Sequence, residues 1–132
     1  MVNRILKNRR GFTLIELIVV LGVLAIIMAI SVPKYMDIKE QAKLDADIAT
    51  LGQIAKLAEL YYIQEKISKD EYNNAAGTAI SEGLKKAIED YMPNIKFQSK
   101  DYQLADIKLY INNGIATVIL DDLSFPNTND KK

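Results

Sequence analysis

The feature that most constrains this chain is a long apolar block near its N-terminus. Residues 12–32 read FTLIELIVVLGVLAIIMAISV and contain one charged residue, Glu16. As an α-helix rising ~1.5 Å per residue the block would span roughly 31 Å, about the hydrocarbon thickness of a bilayer. A helix also satisfies its own backbone hydrogen bonds in lipid. The block therefore predicts a membrane helix, and the preceding Arg9 and Arg10 predict a cytoplasmic N-terminus.

Hydropathy alone leaves three ordinary explanations of the block open. A secretory signal peptide would be cut near Ala29-Ile30-Ser31, although the block is long for such a peptide and contains a carboxylate. A plain signal anchor fits the hydropathy but leaves Glu16 unexplained. A buried core helix is disfavoured, because 18 or more consecutive apolar residues favour the membrane.

Glu16 requires a partner. A carboxylate in a membrane helix costs ~2.5–3.5 kcal/mol at the bilayer centre and less near the interface, and such residues are usually paired and functional. No basic residue lies between Gly11 and Lys34. The alternatives are a local pairing with Arg10 and a pairing with a group of another chain.

The composition excludes several kinds of chemistry. The chain has no Cys and no His, which rules out disulfides, Cys/His zinc sites, a thiol nucleophile and a His-based triad. Beyond the basic first eleven residues acids outnumber bases by four, so we expect no nucleic-acid binding. The carboxylate pairs Glu89-Asp90 and Asp121-Asp122 lack the spaced oxygen ligands of a calcium loop. We expect no metal, no cofactor and no enzymatic activity.

A second helical pattern follows the apolar block. Over residues 34–67 apolar residues recur at spacings of three and four, which predicts an amphipathic helix continuous with the first. The predicted buried stripe consists of Leu44, Ile48, Leu51, Ala55, Ala58 and Tyr62, with Ile38 and Ala42 as extensions. The predicted wet side consists of Lys34, Asp37, Lys39, Glu40, Lys43, Asp47 and Lys56. Tyr61 and Tyr62 are expected to pack against the domain that follows.

The remaining residues, 68–132, predict a small globular domain. Residues 68–78 are polar and indicate a loop, and residues 79–91 predict a short helix ended by Pro93. Residues 95–98 offer an additional strand, and residues 124–132 suggest a polar tail.

A β-hairpin is the clearest signal in this domain. Apolar residues alternate over 107–111, and a β-rich run covers 115–120. Between them Asn112-Asn113-Gly114 suits the positive φ angles of a type I′ turn. The predicted fold is α+β: a long N-terminal helix, membrane-inserted in its first half and amphipathic in its second, with a small antiparallel sheet packed on it.

The leader and the apolar block together resemble a known family. Residues 7–16 read KNRRGFTLIE and are followed by some twenty apolar residues and Pro33. This arrangement closely resembles the class III leader of type IV pilins and type II secretion pseudopilins. The resemblance covers residues 1–40, and the basic leader, the Gly-Phe pair, the glutamate and the proline are all in register.

The resemblance implies roles for particular residues. A prepilin peptidase would cut after Gly11, behind the leader charges Arg9 and Arg10, and Phe12 would become a methylated N-terminus. Glu16 would pair with the terminal amine of an adjacent subunit, and Thr13 would hydrogen-bond beside it. Pro33, with Gly22, would bend or loosen the helix.

The resemblance also implies an organisation and a function. Residues 1–11 would be a removed leader, 12–33 the filament-core helix, 34–67 the amphipathic helix and 68–132 the globular domain. The protein would lie in the membrane as a single-pass subunit and then polymerise with itself into a surface filament. Its other partners would be the peptidase, an inner-membrane assembly platform and minor pilins. A pseudopilin of a secretion or DNA-uptake machine, a non-polymerising anchored binding module and a secreted enzyme remain as alternatives.

Overall fold

The computed structural model describes residues 11–68 and 70–126. The predicted leader charges Arg9 and Arg10, and the end of the predicted polar tail, lie outside these residues. The chain divides after Ile38 into two units, which are described in turn.

Helix α1 runs from Leu14 to Ile63 and supplies residues to both units. In the first unit every described residue is exposed, including the whole apolar block. This block is long and apolar enough to cross a membrane, and none of it is buried by the residues that the structure describes. The sequence prediction of a long helix is confirmed, and the surface of its first half is apolar apart from Glu16 and the charged residues that follow Pro33.

The C-terminal end of α1 lies four residues before the predicted one. Glu65 adopts a left-handed φ of 54°. The Glu65 N–H donates to the Tyr62 carbonyl (3.1 Å) and the Lys66 N–H donates to the Tyr61 carbonyl (3.0 Å). This pair of bonds is a Schellman motif. The Lys66 ammonium also lies 4.8 Å from the centre of the Tyr61 ring. Because the left-handed position is filled by a glutamate, the sequence carried no glycine stop signal.

The second unit contains a four-stranded antiparallel meander in the order β1-β2-β3-β4. The strands are β1 (Thr78–Ala79), β2 (Lys108–Asn112), β3 (Ile115–Leu120) and β4 (Leu123–Phe125). Helix α2 covers Glu82–Tyr91, and a short 3-10 helix covers Leu104–Asp106. The predicted α+β fold, a long helix with a small antiparallel sheet, is confirmed.

The predicted hairpin is confirmed, although its first strand covers Lys108–Asn112 rather than 107–111. Asn113 and Gly114 form the two-residue loop between β2 and β3, with φ angles of 51° and 80°. Two positive φ angles are the requirement of a type I′ turn, and Asn-Gly meets it at low cost. The predicted alternation also holds, because Leu109 and Ile111 of β2 are buried whereas Lys108 is exposed.

The core of the second unit lies among α1, α2 and one face of the sheet. Helix α1 contributes a face at spacings of three and four, α2 contributes Leu84 and Ile88, and β2 and β3 contribute alternate residues. Tyr61 and Tyr62 pack against this core as predicted. The fully buried apolar side chains of α1 and the sheet include Leu51, Ile54, Ala58, Leu109, Val118 and Leu120.

Two strands were missed and one was wrongly predicted. Residues 95–98 are not a strand, and the sheet edges are instead β1 and β4. The beginning of the predicted polar tail forms β4. The Phe125 ring lies over Gly52 of α1, where an added Cβ would come within 3.2 Å of it. Packing on a distant helix glycine therefore selects this short strand.

The predicted division of α1 into wet and buried faces is wrong at three positions. Ile38 and Ala42 are exposed rather than part of the core stripe. Asp47, assigned to the wet side because it is charged, is completely buried. Its position four residues before Leu51 places it on the core face, and hydrogen bonds from a distant loop make its burial tolerable.

Candidate functional site

The amino end of helix α1 is built around a reciprocal pair of hydrogen bonds. The Thr13 backbone N–H donates to Glu16 Oε2 at 2.8 Å, and the Glu16 backbone N–H donates to Thr13 Oγ1 at 3.3 Å. This arrangement is a capping box, which satisfies two of the N–H groups that a helix start leaves unpaired. A carboxylate in the first turn also interacts favourably with the positive end of the helix dipole.

Thr13, which was expected to hydrogen-bond beside Glu16, bonds to Glu16 directly in the capping box. The charge of Glu16 was predicted to pair with Arg10 or with a group of another chain, whereas the structure shows a hydrogen bond to Thr13 within the chain. The signal was available, because Thr-x-x-Glu immediately before an apolar run is typical of a helix start. Arg10 lies outside the described residues, so its pairing with Glu16 stays a prediction.

The surroundings of Glu16 are apolar and open. Phe12, Ile15, Val19 and Val20 border the carboxylate along a shallow groove of about 400 Å³. Phe12 is 92% exposed. The site therefore combines one carboxylate with a bare hydrocarbon surface. It can accept a hydrogen bond from a cation and associate with lipid or another apolar helix.

Gly11 lies at the exposed start of the described chain. A Cβ added at Gly11 would meet no heavy atom of the described residues within 4 Å. The fold therefore gives no steric reason for glycine at this position. If small size is required there, the requirement comes from a molecule that acts on the chain.

The structure places Gly22 and Pro33 inside the continuous helix α1. A Cβ at Gly22 would also meet nothing within 4 Å, so this glycine has no packing role within one chain. The role of these two residues in bending or loosening the helix stays a prediction.

The predicted carboxylate pair at Asp121-Asp122 forms the two-residue turn between β3 and β4. Asp121 has a left-handed φ of 53°, which Asp tolerates better than most residues. Its carboxylate accepts bonds from the Tyr102 hydroxyl (2.9 Å) and the Lys100 ammonium (3.2 Å). The hydrogen bond from Tyr102 is the larger cause, and together with Lys100 it holds the pKa of Asp121 below its usual value. The Tyr102 hydroxyl, followed by the Asp121 carboxylate, raises the pKa of Lys100 above its usual value.

The described residues contain no group of three or more acidic side chains able to hold a metal ion. Two carboxylates that sequence reasoning missed instead have structural roles. Glu59 of α1 accepts a hydrogen bond from the Ala116 N–H (3.1 Å), and Ala116 lies in the part of β3 that does not pair with β4. Asp47 binds the loop that follows α2. Neither role leaves a local pattern, because each partner is more than 50 residues away.

Comparison with known proteins adds independent findings. Residues 6–32 match the family described as "Prokaryotic N-terminal methylation motif". The chain is 31% identical over 113 residues to "Prepilin peptidase-dependent protein A" of Clostridium perfringens, covering 77% of this chain and 81% of that protein. No solved structure matches it significantly.

Two further relatives are named as filament subunits. The chain is 32% identical over 80 residues to "Type IV wide pilus major component PilA4" of Thermus thermophilus, covering 61% of this chain and 58% of that protein. It is 35% identical over 78 residues to "Type IV major pilin protein PilE" of Neisseria gonorrhoeae, covering 58% and 46%. The chain thus spans about half the length of these two relatives.

Proposed function

Because this chain belongs to the family of type IV pilins and pseudopilins, whose members are structural subunits rather than enzymes, we propose that it is a pilin that polymerises into a filament on the cell surface. Removal of residues 1–11 would generate the mature subunit. The apolar half of α1 would hold it in the membrane and then form the filament core.

One observation carries this proposal. The apolar block of α1 is entirely exposed in the single chain, yet its first turn contains a carboxylate held in a capping box. A membrane anchor needs the apolar surface but not the carboxylate, whose presence costs free energy in lipid. A charge that recognises a neighbouring chain gives the carboxylate a use.

Cleavage between Gly11 and Phe12 would create the group that Glu16 recognises. The new Phe12 amine is positively charged when protonated, and a carboxylate in an apolar bundle is tolerated when such a partner is present. Pairing of Glu16 with the amine of an adjacent subunit would favour one axial offset and penalise others. Thr13 would keep the carboxylate oriented through the capping box.

Processing and location follow from the same segment. Arg9 and Arg10 would keep the leader in the cytoplasm, where a prepilin peptidase would cut and Phe12 would be methylated. The subunit would wait in the membrane as a single-pass protein. An assembly platform would transfer it into the filament, together with minor pilins where the system uses them.

A pseudopilin of a secretion or DNA-uptake machine is the second candidate. The relative matched over 77% of this chain bears a name that specifies peptidase dependence but no filament. Sheared surface filaments that contain this protein would favour the pilin. A short assembly confined to the envelope would favour the pseudopilin.

The first experiment determines the mature N-terminus by intact mass and terminal peptide sequencing of cell-associated protein. We expect a start at Phe12 with the added mass of one methyl group. A start near Val32 would indicate an ordinary signal peptide, and an intact Met1 would indicate a plain anchored protein. Either result would refute the proposal.

The second experiment isolates the charge of Glu16. Glu16→Gln preserves the acceptor that the capping box needs and removes only the charge. We expect normal cleavage at Gly11 but strongly reduced recovery of sheared filaments, with Glu40→Gln as an exposed control on the same helix. Normal filament recovery from Glu16→Gln would rule out the proposed pairing. Thr13→Ala tests the cap separately, because it leaves the charge in place.

A further inference from the structure

Asp47 is the only charged residue that is fully buried among the described residues. Its Oδ1 accepts the Gln98 N–H at 2.6 Å, and its Oδ2 accepts the Ser99 N–H at 2.9 Å. The Ser99 hydroxyl donates to the same Oδ2. None of the ion pairs within residues 11–68 and 70–126 involves Asp47. Backbone and hydroxyl donors from a single loop therefore hold this charge.

The loop that supplies these donors is unusually long. Residues 92–107 connect α2 to β2 and contain no strand or α-helix, only the 3-10 helix Leu104–Asp106. Loops beyond ~12–15 residues without secondary structure are uncommon in compact domains and usually have a function of their own. At Gln98 and Ser99 the backbone bonds to a side chain of α1 instead of to a strand.

A second carboxylate holds the other end of the same short segment. Asp121, in the β3–β4 turn, accepts bonds from Lys100 (3.2 Å) and Tyr102 (2.9 Å). The five residues Gln98–Tyr102 are thus fixed at one end to α1 and at the other to the sheet. Both attachments are carboxylates, one buried and one exposed.

We propose that Gln98–Tyr102 is a strap that Asp47 and Asp121 hold closed, and that it opens as a unit while the sheet and both helices stay folded. The physical reason is that the hydrogen bonds that hold the strap are separate from those that hold the sheet. The ladders that pair β1 with β2, β2 with β3 and β3 with β4 include no residue of the strap. Losing the two carboxylate contacts therefore frees the strap and leaves every ladder bond in place.

Opening would also create an apolar surface. Phe97 and Tyr102 pack edge to face with their ring centres 6.1 Å apart, and both lie partly buried against the core. Because Tyr102 is the last residue of the strap and Phe97 immediately precedes it, release of the strap would separate the two rings and turn them towards solvent. The closed strap covers this surface, independently of whether the protein forms filaments.

The test is amide hydrogen exchange of the full chain in detergent micelles, comparing the parent protein with Asp47→Asn. The new side-chain NH₂ would face one of the two backbone donors, so one bond at Gln98 or Ser99 is lost. We expect exchange there to become at least roughly tenfold faster, since a hydrogen bond to a charged group is worth about that factor. Amides of the paired strands, such as Val118 of β3 and Tyr110 of β2, should keep their rates.

Asp45→Asn is the matched control, because Asp45 lies on the same helix but is exposed and bonds only to Gln41 among the described contacts (3.0 Å). It should leave the strap amides unchanged. Unchanged exchange at Gln98 and Ser99 in Asp47→Asn would overturn the proposal. Equal acceleration at Val118 would also overturn it, because the strap would then open only through global unfolding.

Two milder variants keep the proposal testable if Asp47→Asn fails to fold. Ser99→Ala removes only the hydroxyl donor and should accelerate the same two amides by a smaller factor. Because the strap opens as a unit, Asp121→Asn should accelerate the amides of Gln98, Ser99 and Tyr102 together and spare the amides of the paired strands. If the strap amides of both variants exchange at the same rates as in the parent protein, the proposal is overturned.

Discussion

Two glycines with nearly the same backbone conformation allow packing and backbone effects to be separated. Gly77 has φ of 79° and Gly114 has φ of 80°. A Cβ at Gly114 would meet only the Tyr62 ring, at 3.9 Å, whereas a Cβ at Gly77 would lie 2.8 Å from Lys108 Cβ. The first distance is ordinary contact, and the second requires the β1–β2 pairing to shift.

The expected magnitudes follow from these distances. Gly114→Ala should lower the free energy of unfolding by ~1–2 kcal/mol, the cost of a left-handed backbone for a residue with Cβ. Gly77→Ala carries the same backbone cost and an overpacking cost of ~1–3 kcal/mol. Gly77→Ala should therefore be the more destabilising by roughly 1–3 kcal/mol. Gly83→Ala is the control, because Gly83 lies in α2 with open space around it. It should stabilise the protein by up to ~1 kcal/mol.

The assay is urea unfolding of the full chain in detergent, followed by the near-ultraviolet signal of the tyrosines. Changes in the transition midpoint at constant slope report changes in stability. Equal destabilisation by Gly77→Ala and Gly114→Ala would refute the argument, because the close approach to Lys108 would then contribute nothing.

Three further predictions concern burial, protonation and processing. Ile54→Ala should lower the free energy of unfolding by ~2–5 kcal/mol because Ile54 is fully buried. Ile63→Ala on the same helix should change it by less than ~0.5 kcal/mol, because Ile63 is 73% exposed. Similar losses of stability for the two variants in urea unfolding would contradict the assigned core. The bond from Tyr102 lowers the pKa of Asp121, so the contribution of the Asp121 carboxylate to stability should be complete above the ordinary carboxyl pKa and should disappear as pH falls through the lowered native pKa. The urea midpoints of the parent and of Asp121→Asn should therefore converge on acidification. A difference that persists at low pH would contradict this prediction. Gly11→Val should leave folding unchanged and block leader removal, seen as the full precursor mass, whereas normal cleavage would show that the peptidase does not require a small residue there.

The resemblance and the structure assign different parts of the site at Glu16. The leader pattern around Gly11 and Phe12 implied a processed N-terminus, and the comparisons support membership of the type IV pilin and pseudopilin family. The structure adds the capping box, which orients the carboxylate within the single chain. Cleavage, methylation and the bond between subunits remain proposals, to be tested on the mature protein.

Features decided within a few residues were determined by the sequence alone. The apolar block specified the first half of α1, because a helix satisfies its own backbone groups whatever surrounds it. The Asn113–Gly114 turn and the alternation of β2 and β3 were predicted correctly, since positive φ angles and a period of two are local properties. The capping box at Thr13 and Glu16 was equally local and could have been predicted.

The features that only the tertiary structure decided depend on distant partners. Residues 95–98 have a strand-like composition, but Asp47 of α1 supplies acceptors to the backbone at Gln98 and Ser99 and the segment becomes a loop. The short strand β4 forms where the Phe125 ring meets Gly52. Asp47 itself lies on the core face of α1, and no pattern of neighbouring residues identifies the donors that make its burial tolerable. Local sterics and periodicity determine which elements form, whereas burial of a charge and the pairing of a sheet edge depend on groups that only the folded chain brings together.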